Sequence, residues 1–403
     1  MKTRSRIRVL LVSQQFATVR SGVGTYARGL ALRLGDCGVD VTCLTSDSGS
    51  GGGVPNVRVV PLERPSFLDP TPGGFISLAR RAAAWLSSAD AARQGFDLVH
   101  FTDAREAFLL PEKLAFPAIG TVHDDYALAA PRRIASLRRV CGDPIRRALY
   151  YGFLRRVEPV AYGKLARLLV NSDHVMRSVA LGYGVPRHRM TVVPIGVEKA
   201  PSPLEPEALD GAPPILFAGS NFYRKGLPTL LLAAAELRSR FPSIRVHVVG
   251  EDRNAKALLR EARAKGVPEG LARFHGRKPP ADVRRMMASA LCTVLPSRTE
   301  ALGLVLLESM TVGTPVIASR SGGSSELVEE GESGLLVPPG DPAALAAAIA
   351  RVADDAPLRR ALAARGLERS AEFTPERTAA ATAAVYREAL GIARADAEVP
   401  ERV

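Results

Sequence analysis

Short runs of β-branched and other apolar residues alternate with helical patterns along nearly the whole chain of 403 residues. In the first half these runs lie at 7–13, 39–45, 97–102, 118–122, 168–171 and 191–194. In the second half they lie at 215–219, 245–249, 272–275, 292–295, 315–318 and 335–337. Strands that are apolar along their length and alternate with helices are typical of parallel sheets covered on both faces. The pattern therefore predicts an α/β fold.

The two sets of strands are separated by a stretch that suits neither helix nor strand. Residues 198–214 hold five prolines and four acidic residues, so they are predicted to be a linker. We expect Rossmann-like, doubly wound domains at 1–197 and 215–372, facing each other across a cleft. Residues 373–403 are expected to form a helix, capped by Thr374 with Pro375 at its first position, and a tail. That helix can pack back on the first domain.

Composition indicates an ordinary soluble globular protein, with 46% hydrophobic and 24% charged residues. No window approaches the ~18 consecutive apolar residues of a membrane span. The basic start is followed by an apolar run that stops at Val12, too short for a signal peptide, so a cytoplasmic chain is expected. Four cysteines without CxxC or metal-ligand spacing are expected to be free thiols.

The positive charge is concentrated in the first half of the chain. Residues 1–200 hold 28 Lys and Arg against 16 Asp and Glu, a net charge of +12, whereas the second half is near neutral at +1. Residues 126–167 alone carry ten basic and two acidic side chains. Such a local excess favours an anionic partner, whether lipid headgroups, an acidic substrate or nucleic acid.

The most specific motif, residues 296–308, directly follows the strand at 292–295. Gly303 falls where a helix should begin, so free backbone N–H groups and the positive end of the helix dipole would meet a ligand there. Glu300 lies just before that helix and Glu308 within it. Two carboxylates at this spacing could hold hydroxyl groups of a sugar nucleotide. Alternatively, Glu300 caps the helix and Glu308 is a solvated surface residue.

This motif resembles the EX7E motif of retaining GT-B glycosyltransferases, in particular glycosyltransferase family 4. Segments similar to others of that family follow in the right order along nearly the whole chain, at 21–24, 121–124, 170–172, 218–227, 321–326 and 334–337. The resemblance implies a GT-B fold, with an acceptor-side first domain and a second domain that binds a nucleotide-sugar. It also implies transfer of a hexose-type sugar from a UDP- or GDP-sugar, with retention, and without a metal or other cofactor. The acceptor would be a glycan or lipid-linked glycan, such as one of the cell envelope.

The resemblance also implies roles for individual residues. His123 and Glu300 would be catalytic, with Glu300 on the transferred sugar and Glu308 on the ribose. The donor-binding set would be Gly22, Gly24, Arg224, Lys225, Ala301, Leu302, Gly303, Leu304 and Glu308. Arg224 and Lys225 suit a diphosphate because they could neutralise its charge as the donor leaves. This chain departs from the family at Ser220, where the family has an arginine.

Two other classes of function are weighed against this interpretation. Gly22, Gly24 and Ala27 match a GxGxxA dinucleotide fingerprint, which would suit an NAD-dependent oxidoreductase. That fingerprint needs its first glycine directly after the strand, whereas eight residues, 14–21, intervene here. The other class is a non-catalytic basic adaptor for membrane or nucleic acid. A nucleic-acid partner is not expected, because the sequence shows no recognisable binding motif.

The basic segment 126–167 and Glu326 each fit two different roles. The segment 126–167 contains Tyr150, Tyr151, Phe153 and Tyr162 among its arginines. This combination fits peripheral contact with an anionic membrane, or equally a solvated helix whose tyrosines are core. Glu326 could lie near the diphosphate or cap a helix.

Overall fold

The computed structural model describes residues 6–16, 22–46, 54–62, 75–112, 114–130, 144–201 and 204–392. The first domain is built on a seven-stranded parallel sheet in the order β3-β2-β1-β4-β5-β6-β7. Its strands are β1 Ile7–Ser13, β2 Val39–Thr45, β3 Val57–Pro61, β4 Leu98–Phe101, β5 Ala118–Val122, β6 Arg167–Val170 and β7 Met190–Val192. Its helices are α1 Gly22–Leu34, α2 Phe75–Leu86, α3 Ala89–Gln94, α4 Tyr126–Ala129, α5 Pro144–Lys164 and α6 Asp173–Tyr183.

Central strands of this sheet are buried on both faces. Every residue of β4 and β5 is buried, and all are apolar except His100 and Thr121, which are hydrogen-bonded to each other at 2.8 Å. Gly120 in β5 is needed for close packing, because a Cβ there would lie 2.9 Å from the Cα of Ala104. The helices therefore pack tightly on the sheet, and the strand-to-helix loops gather at its carboxyl edge.

The second domain repeats this architecture with six parallel strands in the order β10-β9-β8-β11-β12-β13. They are β8 Pro214–Ala218, β9 Arg245–Val249, β10 Ala272–Gly276, β11 Cys292–Leu295, β12 Val316–Ser319 and β13 Leu335–Val337. The helices are α7 Leu227–Glu236, α8 Ala255–Ala264, α9 Pro280–Ser289, α10 Leu304–Met310, α11 Ser324–Leu327, α12 Pro342–Asp354 and α13 Ala356–Ser370. The main core lies between this sheet and helices such as α7 and α12.

All twelve predicted strands are present within two residues of their expected bounds. The sequence prediction was wrong in omitting β3, which forms the edge of the first sheet beside β2. None of its five residues is fully buried, and an exposed Arg58 interrupts its apolar run. An edge strand pairs on one side only, and its side chains need not be apolar.

The last helix, α14 Pro375–Ala389, returns to the first domain. Thr374 caps it as predicted, accepting a hydrogen bond from the Arg377 N–H at 3.3 Å. Its buried face joins the core of the first domain beside α1 and β1. On that face the Tyr386 hydroxyl lies 2.7 Å from His100 Nδ1 of β4. Both ends of the described chain therefore lie on the same domain.

Two expectations from composition can be compared with the structure. Among the described residues, no helix is long and apolar enough to cross a membrane. Cys37, Cys43 and Cys292 are free thiols, whereas Cys141 falls outside the described ranges. Residues 131–143 of the basic segment also fall outside them.

Candidate active site

Glu300 lies between the two domains, in the loop that connects β11 to α10. It is only 5% exposed. Its Oε2 accepts hydrogen bonds from Ser297 Oγ at 3.0 Å and from Lys225 Nζ at 3.3 Å. Burial alone would raise the pKa of Glu300, but the charges of Lys225 and Arg224 and the Ser297 hydrogen bond lower it to about 2. Glu300 is therefore ionised throughout the physiological range.

Arg224 and Lys225 reach Glu300 from the loop after β8. Gly226 closes this loop with φ of +79°, and a Cβ there would lie 1.8 Å from the Pro296 carbonyl oxygen. The β8 and β11 loops are thus in direct contact. Arg224 Nη1 donates to the Thr299 carbonyl at 3.2 Å and lies 3.8 Å from Glu300 Oε2. Two cations beside one carboxylate leave a net positive charge, which suits an anionic ligand.

The helix that follows Glu300 begins at Leu304, directly after Gly303, whose φ is +95°. The N-cap position is Gly303, which has no side chain. The Glu300 carboxylate instead contacts Ser297, Lys225 and Tyr126, so the alternative in which Glu300 caps this helix is wrong. Glu308 is half-buried rather than fully solvated. Burial raises its pKa, against the opposing charges of Arg284 and Lys225.

Residues 301–304 join the second domain to the first. Ala301 and Leu302 are buried in the hydrophobic clusters of the first domain. Ser172 Oγ, at the end of β6, donates to the Ala301 carbonyl at 2.7 Å. Gly22 faces the same loop, since a Cβ on it would lie 3.9 Å from Leu304 Cδ1.

Gly24 lies two residues further into α1, toward β1 rather than toward that loop. A Cβ at this position would lie 3.2 Å from the Cβ of Gln15. Because β1 ends at Ser13 and Gly22 is the first residue of α1, neither glycine directly follows the strand. This is not the placement that a dinucleotide fingerprint requires.

His123 follows β5 at the carboxyl edge of the first sheet. Its Nε2 lies 2.6 Å from the Thr102 carbonyl oxygen, which can only accept, so Nε2 carries the hydrogen and Nδ1 is the acceptor. Burial lowers the pKa of His123, against the opposing charge of Asp103, so the ring is neutral near pH 7. Asn171 Nδ2 holds the backbone at this point by donating to the His123 carbonyl at 2.8 Å.

The sequence predicted no interdomain contact for Tyr126 or Glu326, yet each of them contacts the other domain. Tyr126 opens α4 in the first domain, and its hydroxyl donates to Glu300 Oε1 at 3.2 Å. Glu326 is a cap, but of a helix in the other domain, since it accepts from the backbone N–H groups of Asp173 and His174 at 2.8 and 2.7 Å. Tyr126 lies in the basic segment 126–167 and Glu326 in the family-like segment 321–326. The partners of both are more than 150 positions away in the sequence.

Comparisons with known proteins identify the family of the chain. Residues 20–200 match the family model described as Glycosyltransferase Family 4, and residues 205–369 match that of Glycosyl transferases group 1. D-inositol 3-phosphate glycosyltransferase of Acidothermus cellulolyticus is 30% identical over 92% of this chain and 86% of its own length. MMP alpha-(1->4)-mannosyltransferase of Mycolicibacterium hassiacum is 28% identical over 95% of this chain and 98% of its own length.

Solved structures share the fold over nearly the whole chain. Sucrose-phosphate synthase from Thermosynechococcus elongatus superposes with a TM-score of 0.77 at 24% identity, covering 96% of this chain and all of its own. Anabaena Alr3699/HepE in complex with UDP-glucose gives a TM-score of 0.65 at 18% identity, covering 96% of this chain and all of its own. Two Rossmann-like domains of this kind define a GT-B α/β protein.

The chain belongs to glycosyltransferase family 4. It is therefore a transferase enzyme, and the predicted family is confirmed. This assignment replaces the two alternatives, an NAD-dependent oxidoreductase and a non-catalytic adaptor.

Proposed function

We propose that this enzyme transfers a hexose-type sugar from a UDP- or GDP-sugar to an acceptor hydroxyl, with retention at the anomeric carbon. The observation that carries the proposal is the buried, ionised Glu300 held against Lys225 and Arg224 where the two domains meet. Relatives named as inositol phosphate glycosyltransferase and mannosyltransferase support sugar transfer to a hydroxyl. The neighbouring structure crystallised with UDP-glucose supports a nucleotide-sugar donor.

In this proposal the second domain holds the donor. Lys225 and Arg224 compensate the charge of the departing diphosphate, and Glu300 binds the transferred sugar. Glu308 binds the ribose, while Gly303 and Leu304 present backbone N–H groups at the start of α10. Gly22, Gly24 and neutral His123 approach from the first domain, where His123 orients the sugar and acceptor.

The proposed reaction is a front-face displacement. The bond between the anomeric carbon and the diphosphate oxygen breaks, and a bond to the acceptor oxygen forms on the same face. The acceptor proton passes to a phosphate oxygen of the donor, so the nucleoside diphosphate leaves with it. The side chains of this chain bind and orient the reactants.

The proposal is tested first by thermal denaturation with a panel of UDP-, GDP- and ADP-sugars. A donor at ~100 times its Kd should add about 2.7 kcal/mol to the free energy of unfolding. Turnover is then measured with the nucleotide-sugar that stabilises the protein. Glu300→Gln should lower kcat for this donor on the order of 100-fold or more, while circular dichroism shows an intact fold. Glu269→Gln, at an exposed carboxylate of the same domain, is the matched control and should not change kcat. Near-normal turnover by Glu300→Gln, or a product with inverted configuration, would contradict the proposal.

We also propose that the acceptor is a glycan or lipid-linked glycan of the cell envelope and that the first domain meets an anionic membrane surface to reach it. Helix α5 supports this, because it presents Ile145 and Leu149, 63% and 73% exposed, beside basic residues such as Arg146. The tyrosines of this helix fit the alternative in which they belong to the core. Tyr151 and Tyr162 are buried in the core, and Tyr150 and Phe153 are half-buried against it.

A further inference from the structure

Tyr126 is fixed in the first domain by its immediate neighbours. It is the first residue of α4, and its backbone N–H donates to Asp124 Oδ1 at 3.2 Å. The next residue back, Asp125, is buried and lies 3.0 Å from His174 Nε2 of α6. These contacts anchor the backbone on both sides of the point where the side chain leaves for the other domain.

The Tyr126 side chain makes two separate contacts with the second domain. Its hydroxyl donates to Glu300 Oε1 at 3.2 Å. Its ring lies under the guanidinium of Arg224, with 3.8 Å between Arg224 Cζ and the ring centroid, a cation–π arrangement. One side chain of the first domain thus touches two of the charges that surround the proposed donor.

The two oxygens of Glu300 are held from different domains. Oε2 is bound within the second domain by Ser297 and Lys225, whereas Oε1 is bound from the first domain by Tyr126. A carboxylate rotates readily about its terminal torsion, so partners on one oxygen leave its plane poorly fixed. Burial and the Glu300 charge raise the pKa of Tyr126 well above its ordinary value, so the hydroxyl keeps its proton and donates.

We infer that Tyr126 is a positioning residue that reaches from the acceptor-side domain to orient Glu300 through its hydroxyl and to support Arg224 through its ring. The donor site is then fully ordered when the two domains meet, which couples domain closure to sugar transfer. This inference rests on the proposed function.

The two contacts can be separated by substitution. Tyr126→Phe keeps the ring under Arg224 and removes the hydroxyl, so kcat should fall at least tenfold while the donor Kd stays within threefold. Tyr126→Leu removes both contacts and should also weaken donor binding at least fivefold. Turnover is measured as release of nucleoside diphosphate from the responding nucleotide-sugar, with water as acceptor, and the Kd by calorimetry.

Tyr183→Phe is the matched control. Tyr183 also donates its hydroxyl to a buried carboxylate, Glu158, but within the first domain. The kcat of Tyr183→Phe should stay within twofold of the wild-type value. This would show that losing a tyrosine–carboxylate hydrogen bond is not enough to lower turnover.

The outcomes separate this inference from the function on which it rests. If the wild type neither binds nor turns over any nucleotide-sugar of the panel, the proposed function is wrong. If the wild type is active and Tyr126→Phe has an unchanged kcat, the positioning role alone is wrong. A Tyr126→Phe variant whose donor Kd rises as much as its kcat falls would also overturn it, since the hydroxyl would then contribute to binding rather than to alignment.

Discussion

Lys225 keeps its charge in a half-buried position because the Glu300 carboxylate lies beside it. Burial lowers the pKa of Lys225, and the adjacent Glu300 carboxylate offsets part of that effect. Lys225 Nζ donates one hydrogen to Glu300 Oε2 at 3.3 Å. Because an ammonium group has three hydrogens, it has further hydrogens to donate. A lysine held in this way is a point charge that can turn toward an incoming diphosphate.

Replacing Lys225 by methionine should therefore weaken diphosphate binding specifically. Loss of one charge-assisted hydrogen bond costs about 1.5–3 kcal/mol, which corresponds to roughly 10- to 100-fold in Kd. Calorimetry with the nucleoside diphosphate and the bare nucleoside should show a large loss for the first and little for the second. Lys278→Met is the control, because Lys278 is another lysine of the second domain and pairs with Glu207 of the linker. Equal losses for the two ligands would contradict a diphosphate role for Lys225.

The proximity of Glu300, Arg224 and Lys225 could be expected from sequence, whereas the role of Tyr126 could not. The first three lie in strand-to-helix loops, and parallel strands bring such loops to one edge of a sheet. Tyr126 meets Glu300 across 174 positions and between two domains. That contact depends on how the domains are placed, which no local pattern encodes.

The start of helix α6 links the two domains. Its first N–H groups have no partners within the helix, as at any helix start. Ser172 caps one of them from its own domain, accepting from Val175 N–H at 3.3 Å. Glu326 of the second domain accepts two more with its carboxylate. A negative charge at a helix N-terminus is stabilising, so this contact favours the closed arrangement.

Glu326→Ala should therefore shift the enzyme toward a more open form. The lost contact is partly solvated and is worth about 0.3–1 kcal/mol. Small-angle scattering without nucleotide should show a larger radius of gyration than the wild type. Glu329→Ala, at a nearby carboxylate that pairs with Arg369, should scatter like the wild type. If Glu326→Ala does so too, the helix contact does not hold the domains together.

Elements buried on both faces could be predicted from the sequence, and the exposed edge could not. In strands β1 and β11 every residue except Arg8 is buried, and most of the residues are apolar. Strand β3 has an exposed Arg58 and Val59, and its position is fixed by pairing with β2 rather than by burial. Hydrogen bonding to one neighbour leaves little signal in composition.

In the whole molecule, nearly all of the net positive charge lies on the first domain, which is proposed to meet the membrane. The second domain, which is proposed to hold the donor, is nearly neutral. The first half carries a net charge of +12 and the second +1. The second domain needs only the local charges of Arg224 and Lys225 for a diphosphate. The excess on the first domain is instead available to an extended anionic surface. Helix α14 ties the far end of the chain to that same domain.

The proposed membrane contact predicts that the enzyme binds vesicles containing anionic lipid and not purely zwitterionic ones. Each basic residue near such a surface is worth about 1 kcal/mol, and the attraction weakens as salt screens it. Ile145→Ser with Leu149→Ser should lower vesicle affinity roughly tenfold, because partial burial of each side chain in the headgroup region contributes part of its ~1.5–3 kcal/mol. Leu181→Ser removes a leucine that is 89% exposed on α6 and serves as the control. Binding is measured by vesicle flotation. Equal binding by the wild type, the double variant and Leu181→Ser, or binding that salt does not weaken, would rule out α5 as the membrane-facing helix.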